Sequence, residues 1–180
     1  MTQAKIPPVA FTVDADNIII DVNDQWDLFA IENDADGLVH AHVIGQPLLK
    51  YVTGDSTRMF VEVMLQGARV RNTIISKPYR CDSPDLKRAL EMRIIPLDNH
   101  EVRLENHIVS LQTVAQPVHF IGHATPSSDR VKRCSMCNKV ELDQEWRDPL
   151  DGSVAQSFLD PSSVKVYYGV CDPCQGMGSH

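Results

Sequence analysis

The chain has no long hydrophobic run: none of its 180 residues sits in a stretch approaching 18 uninterrupted apolar positions. The densest runs, Ile18–Ile20 and Ile94–Ile95, are strand-sized, which argues against a helical membrane span. The opening residues, Met1 to Pro8, lack an apolar core followed by a small-residue cleavage site, so no signal peptide is expected and a cytoplasmic location follows. Basic residues are also missing over a long reach. Between Lys5 and Lys50 there is no Lys or Arg, while Asp14, Asp16, Asp21, Asp24, Asp27, Glu32, Asp34 and Asp36 all fall there. The whole chain carries 17 basic and 24 acidic residues, net −7, and 1–129 accounts for −6 of that. Such a surface repels phosphate backbones and anionic lipid, so neither nucleic acid nor membrane is expected as a partner. There is no His-x-x-x-His, no Gly-rich phosphate loop and no Ser-His-Asp order, so no enzyme is expected.

What is present is the balance of an ordinary globular protein, 43% hydrophobic and 23% charged. The length suits one domain plus a small attached module. Val9–Val13 and Ile18–Val22 are β-rich runs joined at Asp14-Ala-Asp-Asn17, a predicted hairpin. Helical spacing follows over Asp24–Ala30, with Trp26, Phe29 and Ala30 on one face and Asn23 or Asp24 as cap. Val43–Val52, with Gly45 and Pro47, reads as irregular or short helix. Thr57–Arg69 is the strongest helix, with Met59, Phe60, Val63, Met64 and Leu65 as its apolar stripe. Three strand runs come next: Asn72–Arg80, Arg88–Pro96 and Val102–Gln112, separated by the turns Asp82–Asp85 and Leu97–Glu101. Connections this short make antiparallel neighbours.

Residues 9–113 resemble a PAS sensory domain. The words that carry the likeness are the opening hairpin, Val22-Asn23 leading to Trp26, Phe29-Ala30 and Asn33, then Val43-Ile-Gly45-Gln-Pro47-Leu48 with Tyr51-Val52. The resemblance implies an α+β fold, a five-stranded antiparallel sheet with helices on one face. It also implies a homodimer and an unidentified small ligand between helices and sheet, whose binding residues are not identified. Residues 1–113 are thus the expected PAS-like domain. Residues 114–129, with Pro117, Pro126, Ser127 and Ser128 around the apolar island Val118–Ile121, read as a linker. Residues 130–176 form a second module too short to hold a core without a staple, and 177–180 look tag-derived.

Four of the five cysteines form two hooks, Cys134-Ser-Met-Cys137 and Cys171-Asp-Pro-Cys174, bracketing 33 residues. Each hook brings two thiolates to one ion, and two hooks complete a closed four-sulfur site, for which structural zinc is the expected occupant. Metal binding at such a site is folding energy rather than catalysis. The hooks are also similar to rubredoxin, which holds iron, but Asn138 and Gln175 stand where rubredoxins usually carry glycine. The segment more closely resembles the small cysteine-paired module that follows sensor domains in some bacterial signalling proteins. That likeness rests on Cys134-x-x-Cys137-x-Lys139-Val140, Trp146 and Tyr168-Gly169-Val170-Cys171-x-x-Cys174. Val164–Val170 alternates like a strand delivering Cys171.

Lesser candidates weigh less. No Asn-Cys-Arg-Phe-Leu-Gln motif is present, which argues against a flavin photoreceptor of the light-oxygen-voltage type. Cys81, at a strand end, reads as a half-buried structural thiol. Haem-binding PAS domains commonly use a histidine on the central helix, and Thr57–Arg69 has none; His40, His42 and His107 read as solvent-facing or satisfied. Arg130-Val-Lys-Arg133 reads as a solvated face. Trp26, Phe29, Phe60, Met64 and Met92 are candidate core or cavity lining. The expected function is a non-catalytic sensory or protein-interaction protein that passes its signal to a separate signalling partner or a dimer mate. Two rivals remain open: a redox or haem sensor holding iron, and an enzyme with a small-molecule pocket.

Overall fold

The computed structural model describes residues 7–33 and 35–176; the first six residues, read above for a leader, and the tag-like end at 177–180 lie outside the described residues. Strand β1 (Val9–Val13) pairs antiparallel with β2 (Ile19–Val22), as the turn residues predict. Asp14 Oδ1 accepts the amides of Asp16 and Ile18, each at 2.9 Å, and Asn17 adopts a left-handed φ of 62°. Short Asx side chains close such turns by bonding the backbone ahead of them. Helix α1 (Asp24–Glu32) begins at Asn23, but this side chain does not cap it. Asn23 Oδ1 instead accepts the Ala10 amide at 2.9 Å and its Nδ2 donates to the Pro8 carbonyl at 2.8 Å, tying the helix start to β1. Trp26 meets Phe11 edge to face at 5.2 Å, and Ala30 is buried.

After the single turn of α2 (His40–Val43), Gly45 at a φ of 79° redirects the chain into a 3₁₀ turn over Leu48–Tyr51. Helix α3 (Asp55–Arg71) forms as predicted, but its apolar stripe is displaced. Thr57, Met64, Leu65 and Ala68 are buried, while Met59 and Val63 are 63% and 64% exposed. Residues advance about 100° each along a helix, so Met59 stands on nearly the opposite face from Thr57. From the last turns of α3, Arg69 Nη2 donates to the Asp14 carbonyl at 2.7 Å and to Asn17 Oδ1 at 2.8 Å, holding the hairpin turn.

Strands β3 (Ile75–Arg80), β4 (Leu86–Pro96) and β5 (Val102–Thr113) complete a five-stranded antiparallel sheet in the order β2-β1-β5-β4-β3. The protein is therefore α+β, as expected. Phe11 pairs with Leu104, so the first strand of the chain is inserted beside the last one of this sheet.

A second five-stranded sheet follows. It comprises β6 (Phe120–His123), β7 (Val131–Cys134), β8 (Val140–Leu142), β9 (Glu145–Arg147) and β10 (Val164–Gly169). Their order is β6-β10-β7-β8-β9, with β10 parallel to both β6 and β7. Short helices α4 (Gly152–Ala155) and α5 (Asp172–Gly176) flank β10 in sequence. The segment read as a linker is thus partly structured: it supplies β6, and Val118 is 1% exposed.

The chain divides into two compact units. One comprises the chain to Tyr51, Glu62–Lys77 and Glu91–Ile108; the other comprises Val52–Val61, Pro78–Leu90 and the chain from Val109 onward. The second unit has two apolar clusters. Val118, Ala155, Val164 and Val166 make one, with Phe120, Leu150 and Phe158 against it. Cys134, Met136, Val170, Cys171 and Cys174 make the other, with Phe60, Tyr79 and Trp146 against it. The cysteine module therefore has a core, and part of that core comes from α3 and β3.

Candidate metal centre

Parallel pairing of β7 and β10 sets Cys134 opposite Gly169, two residues before Cys171. Beyond β7 the chain turns sharply. The Cys134 amide donates to the Lys139 carbonyl at 2.8 Å, the Asn138 amide donates to the Cys134 carbonyl at 3.0 Å, and Asn138 takes a left-handed φ of 60°. Asparagine is among the few non-glycine residues that adopt this conformation readily, which explains how the hook forms without the glycine usual in rubredoxins. Its side chain is also used: Nδ2 donates to the Arg80 carbonyl at 3.2 Å and to Asp82 Oδ2 at 3.0 Å. The Ser135 amide and hydroxyl both donate to the Gly169 carbonyl, at 2.8 and 3.0 Å, locking the first hook to β10. In the second hook, the amides of Cys174 and Gln175 donate to the Cys171 carbonyl at 2.9 and 3.0 Å, starting α5 and returning Cys174 toward Cys171.

The result brings all four hook cysteines together. Their sulfurs lie within 4.8 Å of one another, and Cys137 and Cys171 are 3.7 Å apart. A tetrahedral ion with metal–sulfur bonds of about 2.3 Å needs sulfurs about 3.8 Å apart, so the set fits a four-coordinate metal with small adjustment. Cys134, Cys171 and Cys174 are buried and Cys137 is half-buried.

Cys134, Cys137 and Cys174 do not ionise alike. The Cys137 thiol and the amides of Cys137, Cys171 and Met136 hydrogen-bond Cys134 and bring its pKa down to about 4. The same contact with Cys134, together with burial, pushes Cys137 up. Burial, the contact with Cys171 and the charge of Cys134 push Cys174 up to about 12. Backbone donors thus favour the Cys134 thiolate. A tetrahedral ion held by all four sulfurs would have a closed coordination shell.

An ionic cluster backs the hooks. Arg80 donates to Asp82 Oδ2 and Asp148 Oδ2, both at 2.6 Å, and Lys87 Nζ reaches Asp148 Oδ2 at 2.6 Å. The Arg80 amide donates to the Met136 carbonyl at 2.7 Å, inside the first hook.

The remaining candidates are placed elsewhere. His40 and His42 are exposed and lie in the short α2. His107 Nε2 is 3.0 Å from Glu105. Cys81 is half-buried, outside the four-sulfur cluster, and burial pushes its thiol up. The basic run was misread in one respect: Arg133 is only 8% exposed. Its position in β7, one residue before the buried Cys134, was the available signal.

No protein-family model matches the chain, and no curated protein matches it. Among solved structures, the chain is similar to a domain of an HTR-like protein from Haloarcula marismortui, at 18% identity and a TM-score of 0.42. That match covers 58% of this chain and 100% of the other. It is also similar to the PAS domain of the RpfR quorum-sensing receptor from Cronobacter turicensis, solved in complex with BDSF and with C12:0. There the identity is 12% and the TM-score 0.44, over 61% of this chain and 100% of the other.

Proposed function

We propose that the chain is a non-catalytic sensory or protein-interaction protein of the bacterial signalling type, in which a PAS-like α+β domain is joined to a structural zinc site. The observation that carries this reading is the closed set of Cys134, Cys137, Cys171 and Cys174, three of them buried, with sulfurs within 4.8 Å of one another. A bound zinc ion would offset half of the charge of the four thiolates and cross-link the two hooks. The protein supplies the rest: backbone amides at the sulfurs, the Ser135 bonds to Gly169, and the Arg80 amide on Met136. With every ligand position taken by sulfur, the metal stabilises the fold and performs no reaction.

On this reading the PAS-like domain takes a small ligand or a protein surface, and the signal leaves through a homodimer mate or a separate signalling partner in the cytoplasm. Helix α3 and strands β4 and β5 each run from one compact unit into the other, a covalent route for such a signal. Among the described residues no helix is long and apolar enough to cross a membrane. Elemental analysis and native mass spectrometry of the purified chain test the proposal. One zinc per chain with no visible absorption is expected; iron, a coloured protein, or less than about half an equivalent of metal in folded protein overturns it.

A further inference from the structure

Arg133 stands apart from the other cations of the second unit. It is 8% exposed, its guanidinium lies 4.0 Å from the centre of the Phe120 ring, and its Nε reaches the Asn138 carbonyl at 3.5 Å. The Tyr168 side chain lies close enough to influence it. No carboxylate of the described residues comes within 4.0 Å of it, whereas neighbouring Arg80 holds two. A buried cation without an anion is costly to keep, and a protein commonly relieves that cost with a counter-ion.

Arg133 lines a pocket of about 160 Å³. Asp82 lines it too, but its oxygens are already engaged: Oδ2 by Arg80 and Asn138 at 2.6 and 3.0 Å, Oδ1 by the Arg88 amide at 3.0 Å. Ser83 is partly exposed, Pro84, Val118, Phe120 and Leu150 supply the apolar part of the lining, and His119 completes it. A cavity of about 150 Å³ accommodates one benzene ring, so the volume suits a ligand of about six to ten heavy atoms. The planar guanidinium fork matches a carboxylate edge, and the apolar walls favour a short hydrocarbon body over a bare, fully hydrated anion.

We infer that this pocket, bounded by Arg133, Ser83, Val118, Phe120 and Leu150, binds a small monocarboxylate with a compact apolar group. The site is independent of the metal's identity and of the sensory reading.

Benzoate is the probe, titrated into the full chain as purified and followed by amide ¹H–¹⁵N spectra. Benzyl alcohol, of similar shape and uncharged, and inorganic phosphate are the controls. Saturable shifts at the amides of Val118, Phe120, Arg133 and Leu150 are expected with benzoate alone. Arg133→Met removes the cation. Ser83→Glu places a competing carboxylate at the rim without altering a buried position. Each is expected to weaken benzoate about tenfold or more. Where Arg133→Met fails to fold, Ser83→Glu decides. The inference is overturned by absence of saturable shifts at these amides, by unchanged benzoate affinity in Ser83→Glu, or by phosphate binding as well as benzoate.

Discussion

Asn138 donates from Nδ2 to the carboxylate of Asp82 at 3.0 Å while its backbone holds a left-handed φ of 60°. One residue thus shapes the first cysteine hook and fastens it to the end of β3. The two roles separate by substitution. Asn138→Gly keeps the backbone freedom and loses two hydrogen bonds, with an expected cost of about 1–2 kcal/mol. Asn138→Ala loses both, adding about 1 kcal/mol of backbone strain. Urea denaturation of the two variants checks the order; equal costs would show that φ at this position is relaxed.

Removing a ligand should unfold the cysteine cluster first. Cys171→Ser is expected to release the metal and expose Trp146, which packs against that cluster. The checks are metal content and a red shift of tryptophan emission at temperatures where far-ultraviolet circular dichroism is still unchanged.

A fragment ending at 113 tests where the fold divides. Phe60 and Tyr79 pack on the cysteine cluster, and Val52–Val61 and Pro78–Leu90 belong to the second compact unit. The fragment would expose more of both partly buried rings, losing at most about 1.5–3 kcal/mol of burial for each. A broad thermal transition with binding of a hydrophobic dye is expected; a sharp transition without dye binding would show that the first 113 residues stand alone.

Asp148 gives the acid dependence. Its burial works against ionisation, but hydrogen bonds from Lys87 and Arg80 outweigh that and hold its carboxyl below the ordinary value of 3.8. A carboxyl lowered on folding contributes stability fully present above its ordinary value and lost as pH falls through its folded value. Asp148→Asn is expected to cost about 1–3 kcal/mol at pH 7 and less at pH 3, below the ordinary value of 3.8. Thermal unfolding at the two values measures this; a cost independent of pH would assign the effect to packing.

The two methionines of α3 separate surface from core. Met64 is 5% exposed and Met59 is 63% exposed. Met59→Ser is expected to change stability by less than about 0.5 kcal/mol, and Met64→Trp to cost about 1–3 kcal/mol. If the PAS-like domain takes a small ligand, a metabolite that raises the melting temperature of the wild type should fail to do so in Met64→Trp. No stabilising metabolite for the wild type, with a strongly destabilised Met64→Trp, would favour an interaction scaffold with a solid core.

Local chemistry made much of this protein legible in the chain alone. The hairpin followed from Asp14 and Asn17, whose side chains and φ angles build a turn from a few adjacent residues. Strands β3 to β5 followed from their runs and short turns, and the four clustered cysteines from two Cys-x-x-Cys hooks, each of which has short-range geometry. What only the tertiary structure decided involves partners distant in sequence. The apolar residues of α3 allowed more than one buried face, and packing chose Thr57, Met64 and Ala68 over Met59 and Val63. The segment 114–129 read as a linker because β6 is stabilised by parallel pairing with β10, some 40 residues later, and parallel pairing leaves no local turn signal. Arg133 read as solvated because basic residues are mostly exposed. Its burial depends on Phe120, Asn138 and Tyr168 meeting around it, a consequence of strand order that no short window of sequence contains.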